Sequence, residues 1–295
     1  MSGVLILDGG TGRELARIGA PFRQPEWSAL ALIEGPDYVS QVHRAYIAAG
    51  ADIITTNSYA LVPFHIGEVR FAEQGAQLAA LAGQLARAEA DKAGGKVAVA
   101  GSLPPVCGSY RPDLVDIARA RPVLARLVAA LAPYVDHWQA ETLSALAEAE
   151  LVAELVRPTG LPLWLSFTLE DEAPGAVPTL RSGETVAEAA AAARRLGAAA
   201  LLFNCSQPEV MAAAVAAARA ELGDDAIRIG VYANAFPPQN AEAEANSGLD
   251  EIRADLTPAG YAAFASAWAG AGASILGGCC GIGPEHIAAL KALKA

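Results

Sequence analysis

Cysteine is scarce in this sequence. Cys107, Cys205, Cys279 and Cys280 are the four in a chain of 295 residues. So few in so long a chain do not make a disulfide scaffold, and a reduced, cytoplasmic setting leaves them as core residues, catalytic groups or metal ligands. Basic tracts are missing too. The formal net charge is −11, which disfavours nucleic acid and anionic membranes as partners. No apolar run reaches about 18 residues, so no membrane span is expected. Alanine-rich stretches such as EAAAAARRLGAAALLF are broken by arginine and glycine. The opening MSGVLILDGG is too short and uncharged to read as a secretory signal. A dinucleotide fingerprint is lacking as well, since the nearest candidate, DGGTG, does not fit G-x-G-x-x-G.

What is present is a large apolar fraction, 53% of the residues, arranged in alternation. Short β-like runs fall at 4–8, 52–56, 96–102, 135–141, 162–167, 199–205, 227–233 and 273–278. Between them lie longer stretches with apolar residues at three- and four-residue spacing, several ending in glycine as helices often do. PDYVSQVHRAYIAAG and TVAEAAAAARRLG are examples. Eight strands, each followed by a helix or a long connection, predict an α/β protein: a (β/α)₈ TIM barrel forming a single domain over residues 1–295. An open doubly wound sheet is the alternative, and it would want the missing fingerprint. The polar stretch 237–256 reads as a surface excursion between the seventh strand and its helix.

In such a barrel, chemistry sits at the carboxyl ends of the strands. The unusual polar residues fall there. The first strand ends in Asp8, Gly9 and Gly10, the second in Thr55, Thr56 and Asn57, and the fourth in Glu141 and Thr142. The sixth ends in Asn204, Cys205 and Ser206, the seventh in Asn234, and the eighth in Gly277, Gly278, Cys279 and Cys280. Three of the four cysteines thus share one mouth.

Neighbouring side chains on a regular strand point to opposite faces. Cys279 and Cys280 can reach one ion only if the chain turns sharply, which glycines at 277, 278 and 281 permit. With Cys205 they would make three thiolates around zinc and leave a fourth position open, as a catalytic zinc requires. From spacing alone, ordinary core packing or a vicinal disulfide explains these cysteines equally well.

At these residues the sequence resembles the homocysteine S-methyltransferases. The matching segments are LDGGTGREL, WSA, GADIITTNSYA, VAGSL, ET at 141–142, FNCS, and GGCCG followed by PEHI. They run nearly end to end. The resemblance implies a (β/α)₈ barrel in which Cys205, Cys279 and Cys280 hold zinc and homocysteine's sulfur takes the fourth position. It also implies that Asp8 and Glu141 lie near the substrate amino group. Two segments depart from the family pattern: the loop GSLPPVCGSYRPD after the third strand, which carries Cys107, and the 237–256 excursion, which could cover the mouth.

A zinc-bound thiol is deprotonated and becomes the nucleophile. The expected reaction is in-line attack by that sulfur on the methyl of a sulfonium or quaternary ammonium, giving methionine. The leaving group departs neutral, so no general acid is needed, in keeping with the lack of a histidine at a strand end. His137 reads as packing or orienting, His43 and His65 as helix or loop residues, and His286 as structural. Asp8 and Glu141 can pair with the substrate ammonium or cap backbone amides. The amides of Gly9 and Gly10 can meet its carboxylate or form a simple tight turn. Trp27, Tyr59 and Tyr110 are candidates to face a cationic donor, beside the plainer reading of core or loop packing. Asn57 and Asn234 can bind substrate or tie loops, and Cys107 is a loop thiol or a spare ligand. The preferred donor is S-methylmethionine, with S-adenosylmethionine and betaine as alternatives. A non-catalytic zinc-thiolate protein and a metal-free amine-binding barrel are the competing classes.

Overall fold

The computed structural model describes residues 3–239 and 251–294. Eight parallel strands run in the order β1-β8-β7-β6-β5-β4-β3-β2. They are β1 (Leu5–Ile6), β2 (Ile53–Thr55), β3 (Ala98–Leu103), β4 (His137–Leu143), β5 (Leu163–Phe167), β6 (Ala200–Asn204), β7 (Arg228–Tyr232) and β8 (Ile275–Leu276). A parallel bridge between Leu7 and Ile53 joins the two ends of this order. There Asp8 N–H donates to the Ile53 carbonyl at 3.0 Å. The barrel is therefore closed, as the strand count predicted. All eight strands lie within or across the expected runs. β1 and β8 are only two residues long; Leu7 extends the first by its bridge to Ile53, and Gly277 directly follows the last.

A sheet covered on both faces needs continuous apolar strands, and it buries them in two cores. Inside the barrel, Leu7, Ile53, Ala100, Trp164, Ala200, Leu202, Tyr232 and Ile275 pack together. Outside it, apolar faces of the helices cover the sheet, with Trp138, Phe167, Phe203 and Trp268 fully buried. Helix boundaries follow local chemistry. Asp116 accepts from Arg119 N–H to start helix Ile117–Leu131. Thr185 and Glu188 form a reciprocal capping box at Val186–Leu196.

Three short helices lie outside the expected elements: Thr11–Arg17, Ser28–Glu34 and Pro63–Ile66. Each spans too few residues to show a helical period. The excursion expected at 237–256 falls largely outside the described residues. Its resolved end, 251–256, runs without helix or strand to the cap residue Thr257. Among the described residues, no helix is long and apolar enough to cross a membrane.

Candidate active site

The mouth at the strands' carboxyl ends is a cavity of about 1140 Å³, part of it open to solvent. Cys205, Cys279, Cys280, Asp8 and Glu141 all line it.

Local backbone chemistry brings the three cysteines together. Cys205 follows β6 with φ of 52°, a left-handed conformation unusual for a side chain-bearing residue. The pairing of β7 with β8 continues past both strands: Cys279 N–H donates to the Ala233 carbonyl at 2.9 Å, and Ala235 N–H to the Cys280 carbonyl at 2.8 Å. The turn is completed when Ile282 N–H returns to the Cys279 carbonyl at 3.0 Å. Of the glycines expected to make it, only Gly281 takes a positive φ, 83°. Gly277 instead allows close packing, since a Cβ there would sit 2.5 Å from that of Leu7. Tyr261 locks the two strand ends by donating to the carbonyls of Gly277 at 2.7 Å and Ala233 at 3.2 Å.

The result is three Sγ atoms all within 4.8 Å of one another. Cys279 and Cys205 Sγ are 3.0 Å apart, and no disulfide is formed, so the vicinal pair is two free thiols. Interaction with Cys205 and then Cys279 holds the Cys280 thiol well below its ordinary range. Cys279 is pushed up by Cys205, then Cys280, then burial. Three converging soft sulfurs suit a tetrahedral thiophilic metal with a fourth position to spare. Cys107 stands apart, in a small separate hollow with Pro104, Pro105 and Val106.

Asp8 and Glu141 are buried at the same mouth. Asp8 accepts from Thr55 twice, from N–H at 2.7 Å and from the hydroxyl at 2.9 Å. Burial nevertheless pushes its carboxyl to about 7, and nearby Glu141 adds to the rise. Glu141 accepts from Ser102 Oγ on one oxygen and from Tyr232 at 3.3 Å on the other. Burial likewise takes it to about 7. Glu141 lies within β4, two residues before its end.

The other expected residues divide. Trp27, Tyr59, Tyr110, Asn57, Gly9 and Gly10 line the cavity. Tyr110 donates to Cys205 Sγ at 2.9 Å. Tyr59 is bonded to Ser109 at 2.6 Å, and Asn57 donates to the Ser28 carbonyl at 3.0 Å. Two residues take the plainer of the roles expected for them. Gly10 N–H donates to the Ile282 carbonyl at 2.9 Å, the bond of a tight turn. Asn234 is fully buried and outside the cavity lining; its side-chain Oδ1 accepts from Phe236 N–H at 3.3 Å, tying the loop after β7.

Sequence reasoning missed several residues. Gln139, Tyr232, Phe236, His65 and Gln239 all line the cavity. Counting back two from Glu141 on the same strand face would have found Gln139. Asn204 accepts from Thr142 N–H at 3.0 Å and Ser166 Oγ at 2.8 Å, and donates to Thr142 Oγ at 2.9 Å. It thereby holds Thr142 at φ 62° beside Glu141.

A closed (β/α)₈ barrel with three free thiols and two buried carboxyls at its catalytic face defines a thiolate-cluster barrel enzyme. Comparison places it more narrowly. A sequence model of the family described as homocysteine S-methyltransferase matches residues 5–293. The chain belongs to that family and is a methyltransferase. It is 33% identical to homocysteine S-methyltransferase of Escherichia coli, covering 98% of this chain and 94% of that protein. It is 28% identical to homocysteine S-methyltransferase 3 of Arabidopsis thaliana, covering 98% and 89%. Among solved structures it resembles the metallated form of the homocysteine methyltransferase MmuM from Escherichia coli, with TM-score 0.78, 29% identity, and 98% and 96% coverage.

Proposed function

We propose that this barrel, acting as one unit over residues 1–295, transfers a methyl group from a sulfonium donor to homocysteine, giving methionine, with zinc held by Cys205, Cys279 and Cys280. The single observation that carries this reading is the convergence of three Sγ atoms within 4.8 Å in a cavity that also holds Asp8 and Glu141. S-methylmethionine is the preferred donor and S-adenosylmethionine the alternative. A cytoplasmic setting suits four free thiols.

When bound, zinc supplies a positive charge that favours the thiolate of a coordinating sulfur and leaves a fourth position open for it. The chain's own residues do the rest. Asp8 and Glu141 offer carboxylates to the substrate ammonium. Their raised values mean that an arriving cation favours their ionisation. Trp27, Tyr59 and Tyr110 give the donor side of the cavity its aromatic surface. The substrate sulfur attacks the donor methyl in line. The new bond is S–CH₃, the donor's S–CH₃ bond breaks, and its electron pair leaves on a neutral thioether. No proton has to be delivered. His65 lines the cavity but turns Nδ1 to the Pro25 carbonyl at 3.1 Å. Orientation of the two substrates supplies the larger share of the acceleration.

The deciding experiment measures methionine formation by zinc-replete protein given homocysteine with S-methylmethionine, S-adenosylmethionine or betaine in parallel, beside a Cys280→Ser control. Turnover with a sulfonium donor, absent from the control, is the expected result. Turnover with betaine alone overturns the donor. Bound zinc without turnover overturns the activity.

A further inference from the structure

Gln139 is a buried polar residue with one atom unaccounted for. It sits on β4, 1% exposed, one pleat before Glu141. Its Nε2 donates to the Tyr232 hydroxyl at 3.2 Å and lies 3.5 Å from Glu141 Oε2. Tyr232 in turn donates to the same Oε2 at 3.3 Å. This chain of donors fixes the amide's orientation, because the reverse would set its oxygen against a carboxylate. The amide oxygen, Oε1, is then left buried without a hydrogen-bond partner. Gln139 lines the cavity with Asp8, Glu141 and the cysteines.

A buried acceptor without a donor is costly unless a ligand satisfies it. The other acceptors here have already been used in part. Asp8 receives two hydrogens from Thr55, and Glu141 receives them from Ser102 and Tyr232. A primary ammonium brings three N–H groups. We propose that Gln139 Oε1 accepts one of them, so that Asp8, Glu141 and Gln139 together form the pocket selecting an α-amino thiol over a plain one. The proposal rests on the homocysteine reading above and deepens it. Gln139 would be a specificity-determining residue that touches the substrate, while its Nε2 steers Glu141.

The test compares the binding of L-homocysteine with that of 4-sulfanylbutanoate, which lacks the amino group, to zinc-loaded protein. Wild type is expected to prefer homocysteine. In Gln139→Leu that preference should fall roughly tenfold or more, the scale of a hydrogen bond to a charged group. Affinity for 4-sulfanylbutanoate should stay within about threefold, since it makes no such bond, and this doubles as the check that the site is intact. In a Glu141→Gln background, where no carboxylate is left for Nε2 to steer, Gln139→Leu should still lower the preference. A preference that survives unchanged in Gln139→Leu overturns the inference alone. A Glu141→Gln background in which Gln139→Leu changes nothing assigns the whole effect to Glu141 and overturns the direct contact. Wild type that binds neither thiol overturns the homocysteine reading itself.

Discussion

Tyr110 donates its hydroxyl hydrogen to Cys205 Sγ at 2.9 Å, and the Arg181 guanidinium lies over the same ring, 5.3 Å from its centroid. Arg181 is paired in turn with Asp171 at 2.6 Å, both side chains almost wholly buried. Asp171 also accepts from the backbone N–H groups of Gln207 at 3.0 Å and Gln239 at 3.1 Å. One buried ion pair thus ties the loops after β5, β6 and β7 behind a thiol of the three-cysteine cluster.

Tyr110→Phe removes the donor and keeps the ring. Partners in the outer shell of a metal site typically govern affinity by about 10–100-fold. Zinc affinity, read by competition with a chromophoric chelator, should fall on that scale while the melting temperature holds. An unchanged affinity would show that the Tyr110 bond to Cys205 has no bearing on the metal.

Arg181→Met strands Asp171 in a buried setting. Breaking one side of such a pair costs about 3–5 kcal/mol, whereas removing both partners costs much less. Urea unfolding of Arg181→Met, Asp171→Asn and the double variant should show strong coupling between the two singles. Additive losses would mean the pair does not act as a unit.

Glu148 offers a pH test away from the cavity. It accepts from Ser144 N–H at 2.8 Å and Ala145 N–H at 3.1 Å, and burial pushes its carboxyl to about 7. The folded state holds this proton longer than the unfolded one. Its share of stability is complete below the ordinary value of 4.5 and is lost as pH rises through about 7. That gap corresponds to about 3 kcal/mol. Glu148→Gln should flatten the decline in unfolding free energy between pH 5 and 8 by that order, read by urea titration. A decline identical to wild type would place Glu148's titration elsewhere.

Asp8 and Glu141 make the opposite prediction for ligand binding. Both sit near 7, and the ammonium needs them ionised. The preference for homocysteine over its desamino analogue should therefore rise with pH through about 7. Calorimetric titration at several pH values reads it directly, and a flat ratio would remove these carboxyls from ammonium binding.

Gly10→Ala probes the close approach beneath the thiol cluster. A Cβ there would lie 2.5 Å from the Cys279 carbonyl oxygen and 3.0 Å from Cys280 Cα. Backbone cannot yield as a side chain does, so the two cysteines must shift. Zinc stoichiometry per chain should drop well below that of wild type. Full occupancy would mean that the turn at Cys279 and Cys280 tolerates the displacement.

The barrel was legible because strands covered on both faces are written largely as short apolar runs, and eight β-like runs alternate with helical periods. Asp8, Cys205, Cys279 and Cys280 were legible because each interrupts such a run at its carboxyl end. Gln139 and Ser102 were passed over because each lies inside its strand rather than at the carboxyl end, although the same-face spacing of Gln139 to Glu141 was a signal. The Asp171–Arg181 pair lies within one loop, and its burial depends on β6 and β7 contributions far along the chain. Gly277 and Gly278 were read as turn formers, although the demand on Gly277 is packing against Leu7.

Among the described residues, four that are not glycine adopt positive φ: Trp27, Tyr110, Thr142 and Cys205. All four line the mouth. Such conformations cost on the order of 1–3 kcal/mol each. The barrel's resistance to heat and its catalytic shape are thus opposed at these four positions. A library selected for thermostability alone would relax them first, and its most robust members would be the least able to assemble the thiol cluster. Stabilising this protein for use would call for holding positions 27, 110, 142 and 205 fixed and searching the outer helices instead.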